Sequence, residues 1–248
     1  MSGSHEQCQN KASKQWPLFK MGDMSTKHTI NPFFKKSKNE QRQILAIVAS
    51  GVVVFNTLVA ALCMLLNVYW MLLFSIPISI SIVAPFFDVP TMVKRGKLQY
   101  LSPFLLAEKG KDNTITLHGA TLFDYVFVLD KNMSGNERTK TIIKGFIQGL
   151  IQLIQDYDET KRPTIIKGTS YVLSAKNVNA LGFRTVKTSF VQRIVLLYNY
   201  LNLMCAISFV KRKITLPKIT NIISFEGDLE LITKNKDALL HLRDRIKI

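Results

Sequence analysis

Residues 43–87 contain no Asp, Glu, Lys or Arg, and this uncharged run limits what the chain can fold into more than any other feature. As a helix it would be more than about 60 Å long, whereas one hydrocarbon core is about 30 Å thick. A soluble helix of that length would normally carry a charged face. The run therefore predicts two membrane-spanning helices.

The break between the two helices is predicted at Asn67, which favours a turn and is followed closely by Tyr69 and Trp70, aromatic types that prefer membrane interfaces. The predicted spans are residues 44–66 and 70–87, joined as an antiparallel hairpin. Lys and Arg flank the run on both sides, and the connecting turn carries no charge. Because positive residues favour the cytoplasmic side, both termini are predicted to be cytoplasmic.

The chain has a formal net charge of +16, and its positive charge lies on both sides of the uncharged run. Residues 1–42, predicted as a flexible basic arm, hold eight Lys or Arg and three Asp or Glu, and residues 88–248 hold 25 and 14. Beside a lipid bilayer such charge favours anionic lipid headgroups, with a membrane protein as the other partner. Nucleic acid is not favoured, because no zinc-finger, RNP-like or helix-turn-helix pattern is present.

Residues 88–248 mix strand and helix patterns. Strands are predicted at 114–118, 123–129, 164–173, 184–187, 221–225 and 229–233, and helices at 137–157 and 175–181 and near the C-terminus. In the long helix, Gly145 and Gly149 are spaced to allow close packing on a sheet. The predicted fold class is a membrane-anchored α+β protein, with a transmembrane hairpin at 43–87 followed by a mixed α/β cytoplasmic domain at 88–248.

Residues 191–210 form a second apolar segment with three interpretations. Arg193, Asn199 and Asn202 make a third membrane span costly. A buried helix of the domain and an interfacial helix against the bilayer are the other two, and the basic residues that follow at 211–213 suit the interfacial one.

Two clusters offer residues for chemistry. His118 and Asp124 can act as an acid/base pair if the chain turns near Gly119, a glycine that would also allow close approach of a ligand; an ordinary strand end is the alternative. A second cluster at 168–170 offers backbone amides and hydroxyls that can bind phosphate, or it is simply a strand. Its residues are Gly168, Thr169 and Ser170. The sequence identifies no cofactor, and the three separated cysteines give neither a disulfide framework nor a metal site.

The segment SAKNVNALGFRTVK resembles the helix–LGF–strand unit near the C-terminus of GNAT acyltransferases, through Leu181, Gly182 and Phe183. The resemblance implies acyl-CoA binding and a transferase. In that family a Gln/Arg-x-x-Gly-x-Gly/Ala loop that binds pyrophosphate opens an earlier helix, whereas GNERTKT stands at that place here.

Two functions follow from the sequence. The first is a membrane-tethered module that binds lipid headgroups or a protein partner. The alternative is a membrane-anchored, acyltransferase-like enzyme that acts on a membrane-associated or acyl substrate.

Overall fold

Two long apolar helices lie near the start of the described part of the chain. The computed structural model describes residues 31–110, 113–158, 164–170, 175–217 and 222–246. Helix α1 spans Lys38–Leu66 and helix α2 spans Met71–Lys94, and both are long and apolar enough to cross a membrane. The predicted break is confirmed, because Asn67 ends α1 in the left-handed conformation with φ 55°. Helix α1 begins earlier than predicted because Ser37 and Glu40 form a capping box.

The two helices pack against each other around a polar contact inside the apolar run. Asn56 Nδ2 donates to Ser79 Oγ at 2.8 Å, and Ser75 Oγ donates to Asn56 Oδ1 at 3.2 Å. Ser75 and Ser79 are four residues apart, so both lie on the face of α2 that contacts α1. In an apolar environment these side chains satisfy one another where no water is available.

Six strands of the described chain form one mixed sheet. They are β1 (Leu98–Ser102), β2 (Leu105–Lys109), β3 (Thr114–Gly119), β4 (Ile165–Ser170), β5 (Arg184–Val186) and β6 (Ile223–Asp228). Their order is β1-β2-β3-β4-β6-β5; β3 and β4 are parallel, and the other described neighbours are antiparallel. The predicted α+β class is confirmed at this level.

Helix α4, Gly135–Asp158, connects the parallel strands and packs on one face of the sheet. The two predicted packing glycines make this close approach possible. A Cβ on Gly145 would lie 2.5 Å from Phe104 Cδ2, and a Cβ on Gly149 would lie 2.8 Å from Leu105 Cβ. A Cβ at either position would force a side chain of the sheet to shift, so the two glycines allow α4 to lie close to the sheet.

The opposite face of the sheet packs against the end of α2 and the segment before α1. Leu105 and Leu106 are adjacent on β2, so their side chains point to opposite faces, and they belong to different apolar clusters. The cluster of Leu106 includes rings from the 3₁₀ helix Pro32–Lys35 and from helix α3, Leu122–Val128. We define the junction as six residues that join the hairpin to the sheet: Asn31, Phe33, Phe86, Tyr100, Phe123 and Asp124.

The remaining described helices are α5 (Ala175–Ala180), α6 (Phe190–Tyr198), α7 (Tyr200–Lys211), α8 (Leu229–Thr233) and α9 (Lys236–Arg245). The apolar segment 191–210 is therefore two helices, bent by 65° at Asn199. Helix α7 packs against α2, α3 and α4, whereas α6 buries none of its residues. By length and composition alone, the bent pair also qualifies as one further span.

Two predicted strands are wrong. Of residues 123–129, all but Leu129 lie in α3, because the Asp124 carboxylate accepts hydrogen bonds from the Thr121 backbone and side chain and fixes a helix start. Residues 229–233 form α8, where the Asp228 side chain accepts from the Glu230 N–H at 3.0 Å. In both places the hydrogen bonds of a helix cap outweigh the strand preference of the aromatic and β-branched residues. Strands β1 and β2 were not predicted.

Most of the predicted N-terminal arm, residues 1–30, lies outside the described residues. Within the described part of that arm, residues 32–35 form the 3₁₀ helix and α1 begins at Lys38. Residues 171–173, the end of the predicted strand 164–173, also lie outside the described residues.

Candidate functional site

The two parallel strands separate before they end. Their ladder pairs residues 114–117 with residues 165–168 and stops there. Each strand continues for two residues paired to its outer neighbour: His118 and Gly119 to β2, and Thr169 and Ser170 to β6. The sheet therefore opens at the carboxyl ends of β3 and β4, which is where ligands commonly bind in sheets with parallel strands.

A cavity of about 300 Å³ occupies this opening. Gly119, Thr169 and Ser170 line it at the strand ends, and Leu117 and Phe225 line it from the sheet. The other lining residues lie in or next to α3, α4, α5 and α9, with one from the turn between β1 and β2: Phe104, Ala120, Tyr125, Ile142, Ile143, Phe146, Ile147, Ala180, Leu181, Leu242 and Ile246. The polar residues among those that line the cavity are Tyr125, Thr169 and Ser170, so the cavity suits an apolar group with a polar end.

The predicted glycine, threonine and serine at 168–170 have different roles in the structure. Gly168 provides packing space, because a Cβ there would lie 2.4 Å from Phe225 Cζ. Thr169 and Ser170 line the cavity, and the Thr169 and Ser224 hydroxyls hydrogen-bond at 3.2 Å. The part of this prediction that coincides with the cavity is thus the pair of hydroxyl residues.

His118 and Asp124 are not brought together by any described hydrogen bond. His118 Nε2 lies 2.8 Å from Glu108 Oε2 on the neighbouring strand, and 43% of the His118 side chain is exposed. Asp124 is fully buried in the junction. Gly119, noted in the sequence as a place of close ligand approach, lines the cavity, and its built Cβ would have open space around it.

The buried Asp124 carboxylate is surrounded by hydrogen-bond donors. Asn31 Nδ2 donates to Oδ1 at 3.0 Å, and the Tyr100 hydroxyl donates to the same oxygen. The Thr121 N–H and hydroxyl donate to Oδ2 at 2.8 and 3.0 Å. Burial raises the pKa of Asp124 against the opposing effect of these bonds, and burial together with the nearby Asp124 raises the pKa of Tyr100. Asp124 therefore ties the N-terminal segment, β1 and α3 together.

The unit that resembles GNAT acyltransferases has the expected local structure. Helix α5 ends in a turn at Gly182, whose φ is 87°, and the Phe183 N–H donates to Val178 O at 3.1 Å. Leu181 lines the cavity, and the Phe183 ring packs 4.9 Å from that of Phe225. This unit therefore builds one wall of the cavity.

The start of α4, where the family resemblance would place a pyrophosphate, is occupied by the chain itself. Ser134 and Glu137 cap the helix reciprocally, with the Ser134 N–H donating to Glu137 Oε2 at 2.7 Å and the Glu137 N–H donating to Ser134 Oγ at 3.3 Å. A Cβ on Gly135 would lie 2.5 Å from the Lys211 carbonyl oxygen. Arg138 also donates to the Phe209 carbonyl at 2.8 Å. These contacts dock α4 on the end of α7.

Comparison with family models, with curated proteins and with solved structures finds no match for this chain. Among the described residues, no group of three His, Cys, Asp or Glu side chains is placed to hold a metal ion. The cavity, the apolar helices and the distribution of charge are therefore the features from which a function can be argued.

Proposed function

We propose that this chain is a two-pass membrane protein with both termini in the cytoplasm, and that its hairpin holds the basic α+β domain at the membrane surface to bind an anionic amphiphile. The observation that carries the proposal is the apolar cavity where β3 and β4 separate. Its volume of about 300 Å³ is at the small end of the range for ligand sites, about 300–1,000 Å³.

The walls of the cavity favour an acyl chain as the buried part of the ligand. Ile142, Ile143 and Phe146 supply apolar surface from α4, and burial of apolar area stabilises a bound chain by about 25 cal/mol per Å². Tyr125 and Ser170 are polar residues of the lining that can meet the polar end of such a ligand. Lipids and free fatty acids both have this combination.

The charge of residues 88–248 favours an anionic headgroup. These residues hold 25 Lys or Arg against 14 Asp or Glu, and each basic residue near an anionic leaflet contributes about 1 kcal/mol to attraction. A protein partner was the other partner expected from the sequence. The apolar cavity favours the lipid.

An acyltransferase-like enzyme is the second candidate, because the helix–LGF–strand unit forms a wall of the same cavity. The capped start of α4 counts against a bound pyrophosphate there. The two candidates differ in the headgroup of the ligand, so a competition experiment separates them.

The test uses the full chain in lipid nanodiscs with a fatty acid that carries a photoreactive diazirine on its chain. After irradiation, mass spectrometry should find the label on cavity residues such as Ile142 and Phe146. Gly119→Leu should fill part of the cavity without a clash at its Cβ, because a Cβ built on Gly119 has open space around it. Ala180→Trp should narrow the cavity, and Ala180 is exposed, so the larger side chain can be accommodated. Each should weaken labelling about tenfold, equivalent to about 1.4 kcal/mol of binding.

Ala175→Trp is the matched control, because Ala175 is exposed on the same helix as Ala180 but does not line the cavity. Equal labelling of Ala175→Trp and Ala180→Trp would overturn the site. Stronger competition by an acyl-CoA than by a fatty acid of the same chain length would favour the transferase. Replacement of anionic by neutral nanodisc lipid should weaken the binding of the basic domain to the bilayer surface. Added salt should weaken this binding too.

A further inference from the structure

Helix α2 contains a proline whose effect on the backbone is compensated from another helix. Pro85 has no N–H, so it cannot donate the helical hydrogen bond to the carbonyl of Ser81, four residues earlier. In an apolar environment an unpartnered carbonyl is strongly destabilising. Asn202 Nδ2 of α7 donates to this same Ser81 carbonyl at 2.9 Å. Helix α7 therefore docks on α2 at the place where the proline leaves an acceptor open.

This contact lies on a different side of α2 from the contact with α1. Ser79 faces Asn56 of α1, and Ser81 is two residues further, about 200° around the helix. Ser81 is 7% exposed, although most of the preceding residues of α2, 71–80, are exposed. It lies five residues before Phe86 of the junction, about 8 Å further from the sheet along the helix. The start of α7 is thus beside the apolar part of α2.

Helix α6, which leads into this contact, presents an apolar surface that no described residue covers. Phe190 is 77% exposed, Leu197 64% and Tyr198 68%, and none of the residues of α6 is buried. Exposed apolar patches of this kind mark a binding surface. Because α6 joins α7 at the 65° bend, its end lies at the level where Asn202 contacts α2.

The charges around the bent pair fit an anionic membrane surface. Residues 184–217 contain no Asp or Glu, and the basic residues stand mainly at the two ends of this stretch. They are Arg184, Lys187, Arg193, Lys211, Arg212 and Lys213. A helix with apolar residues and flanking Lys and Arg is typical of segments that lie in a membrane interface.

We propose that residues 190–211 form a third membrane element, which enters the cytoplasmic leaflet beside α2 and returns without crossing. The exposed apolar surface of α6 then contacts the acyl chains of that leaflet. Helix α7 supplies the hydrogen-bond donor for the Ser81 carbonyl of α2 that Pro85 leaves without a helical partner. Helix α6 lies among the lipids near the headgroups. This inference rests on the proposed membrane crossing of the α1–α2 hairpin.

The test measures the environment of single nitroxide labels on the full chain in nanodiscs. Labels are placed in a background with Cys8, Cys63 and Cys205 replaced. Leu197→Cys reports α6, Leu58→Cys reports the middle of α1, and Ile165→Cys, exposed on β4, reports the domain surface. Relaxation by oxygen, which concentrates in lipid, is compared with relaxation by a water-soluble nickel complex. We expect Leu197 to resemble Leu58, and Ile165 to show the opposite preference.

The outcomes separate this inference from the proposed function. If Leu58 and Leu197 both report water, the hairpin does not cross the membrane and both proposals fail. If Leu58 reports lipid while Leu197 reports water, this inference alone is overturned. A Leu197 label that neither reagent reaches would mean that protein covers α6, either a second copy or a partner, and would also overturn it.

A double-mutant cycle tests the docking contact independently. Asn202→Ala should lower the melting temperature of the full chain in nanodiscs by about 2–4 °C. In a Pro85→Ala background the backbone regains its own donor, so Asn202→Ala should have a much smaller effect. Asn199→Ala is the control, because the Asn199 amide, at the bend, donates locally to the Val195 carbonyl of α6. Equal effects of Asn202→Ala in both backgrounds would contradict the role given to Pro85.

Discussion

The junction and the cavity lie on opposite faces of one sheet, and adjacent residues of α3 belong to them. Asp124 is at the centre of the junction, and Tyr125 lines the cavity. In the junction both carboxylate oxygens accept from donors, and the Phe33 and Phe123 rings pack edge to face at 5.0 Å. The cavity instead has apolar walls with a few hydroxyl groups. The comparison teaches that Asp124, one of the two residues predicted for acid/base chemistry, is held by hydrogen bonds that join three segments, while the space for a ligand is largely apolar.

The largest effect is expected in the junction, from Asp124→Asn. Each Asp124 oxygen faces one fixed N–H donor, from Asn31 or from the Thr121 backbone, so an amide must place its NH₂ group against one of them. We expect a loss of about 3 kcal/mol of folding free energy. Chemical unfolding of the full chain in detergent micelles would measure it. Asp130→Asn is the matched control at an exposed carboxylate and should change stability by less than about 0.5 kcal/mol.

A smaller effect is expected at the wall of the cavity, from Gly168→Ala. The added methyl group would lie 2.4 Å from Phe225 Cζ, and that ring is held in place by Phe183. Overpacking of this kind costs about 1–3 kcal/mol. Because Phe225 also lines the cavity, labelling by the diazirine fatty acid should fall together with stability. Unchanged stability would mean that the ring can move away freely and that Gly168 is not needed for packing.

The contrast between the two regions also explains what the sequence could predict. The hairpin and its break at Asn67 depend on local features, an uncharged run and a residue that adopts positive φ, and both are visible in the sequence. The sequence mispredicts helix α3 because its start depends on one capping pair, Thr121 and Asp124, within an aromatic segment. The cavity joins Phe104 to Phe225 across the sheet, and no local pattern indicates which distant side chains will leave a space between them.

The pH dependence of stability should also distinguish the buried carboxylate. Burial raises the pKa of Asp124 above its ordinary value of 3.8, so its stabilising contribution is complete below that value and is lost as pH rises through the folded-state pKa. The stability advantage of the wild type over Asp124→Asn should therefore shrink as pH is raised above 3.8. Melting curves of both proteins across this pH range would measure the difference. An advantage that grows with pH would show that the four hydrogen bonds outweigh burial.

The smallest effect is expected from His118→Gln, outside both regions. The His118 ring pairs with Glu108 at 2.8 Å, and the two side chains are 43% and 38% exposed. Exposed pairs contribute little, so stability should change by less than about 0.5 kcal/mol. His118 does not line the cavity, so labelling by the fatty acid should equal that of the wild type. Melting of the full chain in nanodiscs measures stability, and the photolabelling experiment measures labelling. A strong loss of labelling without a loss of stability would instead assign His118 to the ligand site and restore the acid/base hypothesis, with Glu108 rather than Asp124 as its partner.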